Sequence, residues 1–389
     1  MQFNTFVTSS EDLQACAQAT NLNEVLIEPS LLAVQGTLGK EQALSLAQEA
    51  KQKSLRPVLV WDALMTEHVM ARALTALASW PLDTFAAIRV IDVGAAFWLR
   101  EHYPSLPIQL LVEAGSHNIY ALQGWIELLQ PTLERLILSI ELPEAKLIEY
   151  CQTLPVQCEL LGAGRIQLFY SPRALLTLPL EAEDDDAVPL RALGASEISN
   201  HRPFAFQQSK HGTLMFLDKD QFILDRLGGL KEAGLHTLRI DLRHLSDTPH
   251  AASSIASLCD KIVTQPEDLR KSWERPTRAP FFRSNNTTAQ FKKLRTGTNV
   301  HRDQSCLGKV IATENKNIMI IQTFQGFDPQ TPNLITLPNG EDIPLQQPVR
   351  LRDLQAAPIA HCQPEEFVIL DWQKKVCVGT LLRHTSDND

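Results

Sequence analysis

Acidic residues recur in this chain at the ends of short apolar runs. They are Glu28, Asp62, Asp92, Glu113, Glu141 and Asp241. Carboxylates that converge at one edge of a fold can act as general acids and bases, or can ligate a hard metal ion. Some of them could equally cap helices or pair with Arg89, Arg239 or Arg243. We take Glu113, Glu141 and Asp241 as the candidate catalytic residues.

A second group of polar residues could bind a ligand. Tyr170, Ser171 and Arg173 lie together in a short segment, and His117 and Asn118 are adjacent at a predicted strand-to-helix junction. Arginine suits a bidentate grip on a carboxylate or phosphate, although Arg173 could instead form a buried ion pair. Histidine can act as a base or a metal ligand. Asn118 could also be a plain helix N-cap, the interpretation that we favour for it.

The seven cysteines form no C-x-x-C pair. Cys151 and Cys158 are seven residues apart, and we interpret them as buried free thiols rather than ligands. Because the chain opens without a secretory leader and no apolar run is long enough to span a bilayer, we expect reduced cysteines and a cytoplasmic protein with no membrane partner. H-E-x-x-H and G-x-S-x-G motifs are missing, so a standard serine or cysteine protease is not predicted.

Eight short aliphatic or β-branched runs, most followed by amphipathic stretches, would have to position these residues. The predicted strands are Phe3–Val7, Val25–Glu28, Val58–Asp62, Ala87–Asp92, Ile108–Glu113, Arg135–Ile140, Cys158–Leu161 and Thr237–Asp241. This alternation predicts an α/β fold, a (β/α)8 TIM-barrel-like domain over residues 1–265. A doubly wound open sheet is the alternative, but no G-x-G-x-x-G turn follows the first strand.

The pattern changes in three places. An insertion at about 180–234 holds the acidic run Glu181–Asp186, a predicted hairpin of Phe204–Gln208 and Thr213–Leu217, and a predicted helix over Asp218–Ala233. Proline-rich residues 266–290 are predicted to be a linker. Residues 291–389 alternate strands with turns, among them the hairpin turn Pro338-Asn-Gly-Glu341, and predict a small all-β barrel domain.

Three segments resemble the collagenase-like peptidases, peptidase family 32 of the unclassified type. Gly164, Tyr170, Ser171 and Arg173 match the family signature, in which a glycine precedes Tyr-Ser-x-Arg-Cys by six residues. The other two segments are Val112–Ile119 and Glu134–Leu142, each similar to a strand ending of the family. The resemblance covers most of residues 20–265, and it implies the same barrel, with the small β-barrel that many members append.

The resemblance also implies chemistry that this chain departs from. Members of the family are labelled proteases or take part in hydroxylation of RNA bases or ubiquinone, and the hydroxylation types hold a four-iron cluster on four cysteines. The two signature cysteine positions are Gln167 and Ala174 here, and no cysteine lies between Cys158 and Cys259. We therefore predict no iron–sulfur cluster of the family type. We assign no other cofactor and no metal ligand, although the strand-end carboxylates leave a divalent metal ion open.

Three functions remain open from the sequence. The first is a ligand-binding or accessory protein, with a paralogous protein as a possible partner. The second is a hydrolase that uses strand-end carboxylates on a peptide. The third is a role in RNA modification, with Arg173, Arg202 and Lys210 holding phosphates. The net charge of -9 disfavours binding of nucleic acid through bulk charge alone, but leaves a local basic groove open.

Overall fold

The computed structural model describes most of the 389 residues. The described ranges are 1–113, 115–176, 189–194, 204–245, 251–279, 281–282, 303–314, 317–338 and 340–384, with the side chains of 251–254 left out. The described residues up to 282 belong to one compact unit and those from 303 onward to a second. Among the described helices, none is long and apolar enough to cross a bilayer.

The first unit is built on a closed ring of eight parallel strands, which confirms the predicted fold. Their bounds are β1 Gln2–Val7, β2 Leu22–Ile27, β3 Arg56–Trp61, β4 Ala87–Val90, β5 Ile108–Leu111, β6 Leu133–Ile137, β7 Gln157–Ser171 and, eighth in the ring, β11 Thr237–Ile240. Neighbours pair in chain order, and β11 closes the ring by pairing with both β7 and β1. Buried parallel strands are apolar on both faces, which is why the sequence shows them as short aliphatic runs.

Helices cover the outside of the ring. They are α1 Ser10–Ala17, α2 Lys40–Gln52, α3 Glu67–Leu77, α4 Val93–His102, α5 Ile119–Leu129, α6 Glu144–Thr153, the short α7 Gly228–Glu232 and α8 Ala251–Thr264. A short 3-10 helix, Leu82–Thr84, precedes β4. Side-chain caps begin several of them: Ser9 accepts from Asp12 N–H, and Asp92 accepts from Ala95 N–H. The main apolar core lies between these helices and the outward faces of the strands.

Polar and apolar residues alternate in layers along the inside of the ring. Alternate residues of a strand point to one face, so Glu24, Leu26 and Glu28 follow each other up the interior from β2. Leu26 belongs to a small apolar layer with Phe6, Val58, Val60 and Ala87. Polar residues therefore lie in the interior both below and above an apolar layer.

Strand β7 continues beyond the ring and carries the predicted insertion. It pairs antiparallel with β10 Gly212–Phe222, which pairs with β9 Phe204–Ser209, which pairs with β8 Leu190–Gly194. The predicted hairpin is present, but the predicted helix over Asp218–Ala233 is wrong, because β10 runs to Phe222 and only Gly228–Glu232 is helical. The acidic run Glu181–Asp186 and Arg202 lie outside the described residues.

The first part of the predicted linker, residues 266–278, contains regular secondary structure. Pro266–Asp268 form a 3-10 turn, α9 spans Leu269–Ser272, and β12 Thr277–Arg278 pairs in parallel with β10. Leu269 and Phe282 are buried in the core of the first unit. These residues therefore pack onto the barrel unit.

The second unit contains an antiparallel sheet around its own core. Its strands are β13 Cys306–Glu314, β14 Ile318–Thr323, β15 Leu334–Thr336, β16 Asp342–Pro344, β17 Phe367–Asp371 and β18 Leu381–Arg383. The order in the sheet is β16-β15-β18-β13-β14-β17. The strands β15 and β16, on either side of the predicted turn Pro338–Glu341, pair antiparallel, and Asn339 of that turn lies outside the described residues. Arg352 adds isolated bridges to Pro358 and Ile369.

Candidate functional site

A cavity of about 180 Å³ opens at the carboxyl ends of the barrel strands, where catalytic and binding groups of such barrels lie. We call it the barrel mouth. Its lining residues are Thr8, Glu28, Gln35, Thr37, Arg165, Pro189, Arg191, Gln207, Phe216, Asp241, Arg243 and His244. Since only two of these residues are carboxylates and three are arginines, the described lining carries a surplus of positive charge.

Arg243 organises the floor of the barrel mouth. Its Nη1 donates to both oxygens of Glu28 at 2.7 Å, and its Nε and Nη2 donate to the two oxygens of Asp241 at 2.9 and 2.7 Å. The guanidinium also stacks on the ring of Phe6, 3.5 Å from its centroid. One cation thereby joins the ends of β2 and β11 and rests on the apolar layer below.

The two carboxylates that share Arg243 differ in protonation. Burial raises the pKa of Glu28 to about 7. Arg243 lowers this pKa only in part, and the negative charges of Asp62 and Asp241 raise it further. Burial also acts on Asp241, but the charge and hydrogen bonds of Arg243 outweigh it and hold the pKa of that carboxyl below its ordinary value. Near neutral pH the floor therefore contains one ionised carboxylate beside one that is close to its titration point.

Gly164 explains why the signature segment needs a glycine. Its φ is +151°, and a Cβ at this position would lie 2.8 Å from the Cβ of Asp241. Strand β7 crosses close to the end of β11 here, because the pairing register between them shifts by one residue just before Ala163. Without a side chain at Gly164, Asp241 can turn toward Arg243.

Arg165, the next residue, lines the barrel mouth and forms no ion pair with another described residue. Its guanidinium lies over the ring of Phe216, 5.1 Å from the centroid, and its Nε is buried with no hydrogen-bond partner among the described residues. Burial lowers the pKa of Arg165, the nearby Arg275 and Arg191 add repulsion, and attraction from Asp241 and Asp220 offsets this in part. An arginine held in this way is available to an anion that enters the cavity.

His244 and Asp220 form a hydrogen-bonded pair in the wall of the barrel mouth. The two atoms His244 Nε2 and Asp220 Oδ2 are 2.8 Å apart, and both side chains are almost completely buried. Asp220 also accepts from Trp273 Nε1 at 3.0 Å and Arg275 Nε at 3.2 Å. Burial would raise the pKa of Asp220, but these donors, above all His244, outweigh it and lower the pKa. The carboxylate of Asp220 therefore stays ionised.

A second set of charges lies at the opposite, amino-terminal end of the barrel interior. This inner ion cluster consists of Glu24, Arg56, Arg89, Glu134, Arg135 and Glu159. Arg135 Nη1 lies 2.5 Å from Glu24 Oε1 and 3.1 Å from Glu159 Oε2, and Arg89 Nη2 lies 2.6 Å from Glu159 Oε2. Three glutamates meet three arginines, so the inner ion cluster is neutral.

Amide side chains add hydrogen bonds to this cluster, although Arg89 Nη1, Glu159 Oε1 and Asn4 Oδ1 have no hydrogen-bond partner among the described residues. Asn4 Nδ2 donates to Glu24 at 3.0 Å and to Glu159 at 2.9 Å, while Gln109 accepts from Arg89 and donates to Glu24. Burial would raise the pKa of Glu24, but Arg135 and Arg89 outweigh it and the pKa is lowered. Each arginine of the cluster therefore forms an ion pair with at least one of its glutamates.

The three candidate catalytic carboxylates are not brought together. Asp241 lines the barrel mouth. Glu113 accepts a hydrogen bond from Arg239 Nη2 at 2.6 Å, which is the ion-pair alternative considered above. Glu141 is half exposed, and its Oε2 lies 3.9 Å from His117 Nε2. His117 and Glu141 are therefore neighbours, while Asp241 forms a separate group with Arg243 and Glu28.

The candidate ligand-binding residues have mainly structural contacts. Asn118 caps α5 by accepting from Ala121 N–H. The hydroxyl of Tyr170 donates to the His211 carbonyl at 2.8 Å and accepts from Leu64 N–H at 3.1 Å, which pins β7 to the end of β3. Ser171 pairs with Thr213 at the end of β7. Arg173 and Lys210 are exposed and do not line the barrel mouth.

Sequence reasoning did not single out Arg165, Arg243 or the Asp220–His244 pair as site residues. Arg243 was considered only as a partner for a strand-end carboxylate, and Asp220 was placed in a helix that does not form. Arg165 carried a usable signal, since it follows the signature glycine directly at the end of a barrel strand. The Asp220–His244 contact depends on tertiary structure and has no local signal.

The cysteines of the first unit do not match the donor set of an iron–sulfur cluster. Gln167 lies in β7 and Ala174 in the exposed turn after it. Cys151 and Cys158 contact each other at the junction of α6 and β7, where burial and the Cys151 thiol raise the pKa of Cys158. Among the described residues, no three His, Cys, Asp or Glu side chains are grouped to hold a metal ion.

Comparisons with known proteins identify the family. The family model of peptidase family U32 matches residues 31–293, about two thirds of the chain, and the chain belongs to this family. In addition, 92 residues are 33% identical to tRNA hydroxylation protein P of Escherichia coli (strain K12), which is 23% of this chain. The match spans only 20% of that relative's length.

Solved structures of the same family resemble parts of the chain. The U32 peptidase Mk0906 is 11% identical, with a TM-score of 0.35, and the match covers 42% of this chain and 70% of that one. The C-terminal domain of a putative U32 peptidase from Geobacillus thermoleovorans is 15% identical, with a TM-score of 0.20, over 21% of this chain and 94% of that one.

Proposed function

We propose that this chain is a cytoplasmic, ligand-binding member of family U32 that holds an oxyanion in its barrel mouth and works without an iron–sulfur cluster. Arg165 carries the proposal. A guanidinium that is more than half buried and lacks a described counter-ion lowers stability unless a ligand supplies the negative charge. Its stacking on Phe216 keeps it oriented toward the cavity.

The rest of the lining supports an anion rather than a cation. Glu28 and Asp241 are both occupied by Arg243, so neither presents free negative charge to a ligand. Arg191 adds a further positive charge to the rim. A phosphate or carboxylate group could therefore bind between Arg165 and Arg191 while its uncharged part faces Phe216.

Sulfate is a suitable probe, because it is a tetrahedral dianion whose charge is constant across neutral pH. We expect calorimetry to show sulfate binding that Arg165→Met weakens by about tenfold or more, the loss expected for a charge-assisted hydrogen bond. The matched control is Arg72→Met, which removes an exposed arginine of α3. Equal affinities for wild type and Arg165→Met would contradict the proposal.

We place the protein in RNA modification, as an accessory subunit beside a cluster-bearing paralogue. The similarity to tRNA hydroxylation protein P supports this placement, and the absence of converging cysteines among the described residues supports the accessory role. Binding of tRNA should weaken as salt concentration rises and should weaken further in Arg165→Met. Undetectable or salt-insensitive binding would count against the RNA ligand, and robust modification by this chain alone would count against the accessory role.

A hydrolase is the second candidate, and one observation favours it. Glu28 and Asp241 have pKa values shifted in opposite directions around one arginine, which is how paired carboxylates divide acid and base roles. Peptide hydrolysis should then fall by at least about a hundredfold in both Glu28→Gln and Asp241→Asn. Glu113→Gln is the informative comparison, since Glu113 is bonded to Arg239 outside the cavity lining. Unchanged hydrolysis in all three variants would identify a contaminating protease.

A further inference from the structure

The Asp220–His244 pair is the polar feature of the barrel mouth that the proposed function leaves unused. His244 lines the cavity, and its Nε2 is committed to Asp220 at 2.8 Å. The two nitrogens of an imidazole point to nearly opposite sides of the ring, so Nδ1 points away from Asp220. Among the described residues, Nδ1 has no hydrogen-bond partner.

Asp220 determines which nitrogen of His244 carries a proton. Its carboxylate accepts from Trp273 and Arg275 as well as from His244, and these donors keep it ionised. An ionised carboxylate at Nε2 requires the proton to be on Nε2, as in other carboxylate–histidine pairs. The neutral ring therefore presents the lone pair of Nδ1, and the imidazolium presents an N–H at the same position.

We propose that His244 is a ligand-facing acid–base residue, which takes up one proton on Nδ1 when an oxyanion binds beside Arg165 and donates that hydrogen to the bound anion. This inference rests on the proposed function, because it needs the oxyanion in the barrel mouth. With the ligand bound, the imidazolium lies between two anions, Asp220 on Nε2 and the ligand on Nδ1. The proton comes from solvent and returns to it when the ligand leaves.

The charged groups near His244 are carboxylates and arginines. Asp220 and Asp241 both interact electrostatically with His244, and Arg165 and Arg243 line the same cavity. Asp241 is already neutralised by Arg243, and Asp220 is shared with Arg275. The bound oxyanion adds the negative charge that shifts this balance toward protonation. The site should therefore prefer oxyanions that accept a hydrogen bond, with stronger binding at lower pH.

Sulfate calorimetry in buffers of different ionisation enthalpy tests this directly, because sulfate does not titrate near neutral pH. We expect wild type to take up on the order of half to one proton per sulfate near pH 7, by thermodynamic linkage. Its affinity should fall about tenfold between pH 6 and pH 8.5. His244→Gln should bind with no proton uptake and with an affinity independent of pH, equal to that of wild type only at pH 8.5.

Asp220→Asn gives a second variant that leaves the imidazole in place. Without the ionised partner the imidazolium is less stable, so proton uptake should shrink while Arg165-dependent binding remains. Proton uptake that persists unchanged in His244→Gln, or wild-type binding without proton uptake, would overturn the role of His244. If sulfate binding were absent or insensitive to Arg165→Met, the proposed function itself would fail, and this inference with it. Circular dichroism of each variant confirms that the comparison is between folded proteins.

Discussion

The inner ion cluster and the barrel mouth use the same residue types within one barrel, and they differ in whether the charges are matched. In the inner ion cluster, every arginine is paired with a glutamate, and Asn4 and Gln109 add further hydrogen bonds. In the barrel mouth, Arg243 donates hydrogen bonds to both lining carboxylates, Glu28 and Asp241. Arg165 stacks on the ring of Phe216 instead. The two regions therefore differ in charge balance: each arginine of the inner ion cluster has a glutamate partner, whereas Arg165 has no ion-pair partner among the described residues.

The largest expected effect comes from unbalancing the inner ion cluster. Glu159→Gln keeps the shape of the side chain but removes the charge that faces Arg89, Arg135 and, at 3.6 Å, Arg239. Leaving these buried cations uncompensated should lower the free energy of unfolding by about 3–5 kcal/mol. Urea unfolding followed by circular dichroism measures it. Glu127→Gln on the exposed side of α5 is the control and should change stability by less than about 0.5 kcal/mol.

The next effect concerns the floor of the barrel mouth and depends on pH. Because burial raises the pKa of Glu28 to about 7 from an ordinary value of 4.5, the folded state holds a proton that the unfolded state has released. The stabilisation is complete below the ordinary pKa and is lost as pH rises through 7. Relative to Glu28→Gln, wild type should lose on the order of 3 kcal/mol of unfolding free energy between pH 4.5 and pH 8.5.

Urea unfolding of both proteins at several pH values measures this difference. A difference that stays constant across the range would show that Glu28 is ionised throughout, and the floor of the barrel mouth would then resemble the inner ion cluster.

A smaller effect of opposite sign is expected at Arg165. Arg165→Met removes a buried group that has no described counter-ion, so the free energy of unfolding without ligand should rise by about 1 kcal/mol. The same variant should lose sulfate binding. Thermal unfolding with and without sulfate separates the two effects, since sulfate should stabilise wild type but not the variant. A destabilised Arg165→Met would mean that this arginine is structural and would remove the contrast between the two regions.

The smallest effect tests the signature tyrosine. Tyr170→Phe removes the hydroxyl that joins the His211 carbonyl to Leu64 N–H, at a cost of about 1 kcal/mol in unfolding free energy. Its sulfate affinity should stay within about twofold of wild type, because the hydroxyl does not line the barrel mouth. If Tyr170→Phe kept the stability of wild type but lost sulfate binding, the tyrosine would belong to the binding site and would not have a structural role.

The barrel was predictable because each of its strands is a buried apolar run that contrasts with the amphipathic helix after it. The helix expected at Asp218–Ala233 failed for a tertiary reason. Asp220 is buried with hydrogen bonds from His244, Trp273 and Arg275, and Phe222 packs in the main core, so the extended conformation is stabilised by distant residues. A local helical pattern cannot compete with these contacts.

The position of strand-end residues at the barrel mouth was predictable, but the contacts among them were not. Strand-end position correctly indicated that Asp241 and Glu28 lie at the carboxyl end of the barrel. The partner of Glu28 is 215 residues away in sequence, and the contact of Asp220 with His244 joins β10 to the segment after β11. Nothing in the sequence indicated that Glu113 pairs with Arg239 outside the cavity lining, whereas Asp241 lines the barrel mouth.

The distribution of the inner ion cluster along the chain bears on how the ring closes. The first four strands supply two of its arginines and one glutamate, and β6 and β7 supply one arginine and two glutamates. Each half of the barrel would therefore bury an unbalanced charge if it formed alone, with opposite signs in the two halves. Neutrality is reached only when the halves meet, so partly formed barrels are penalised and ring closure becomes cooperative.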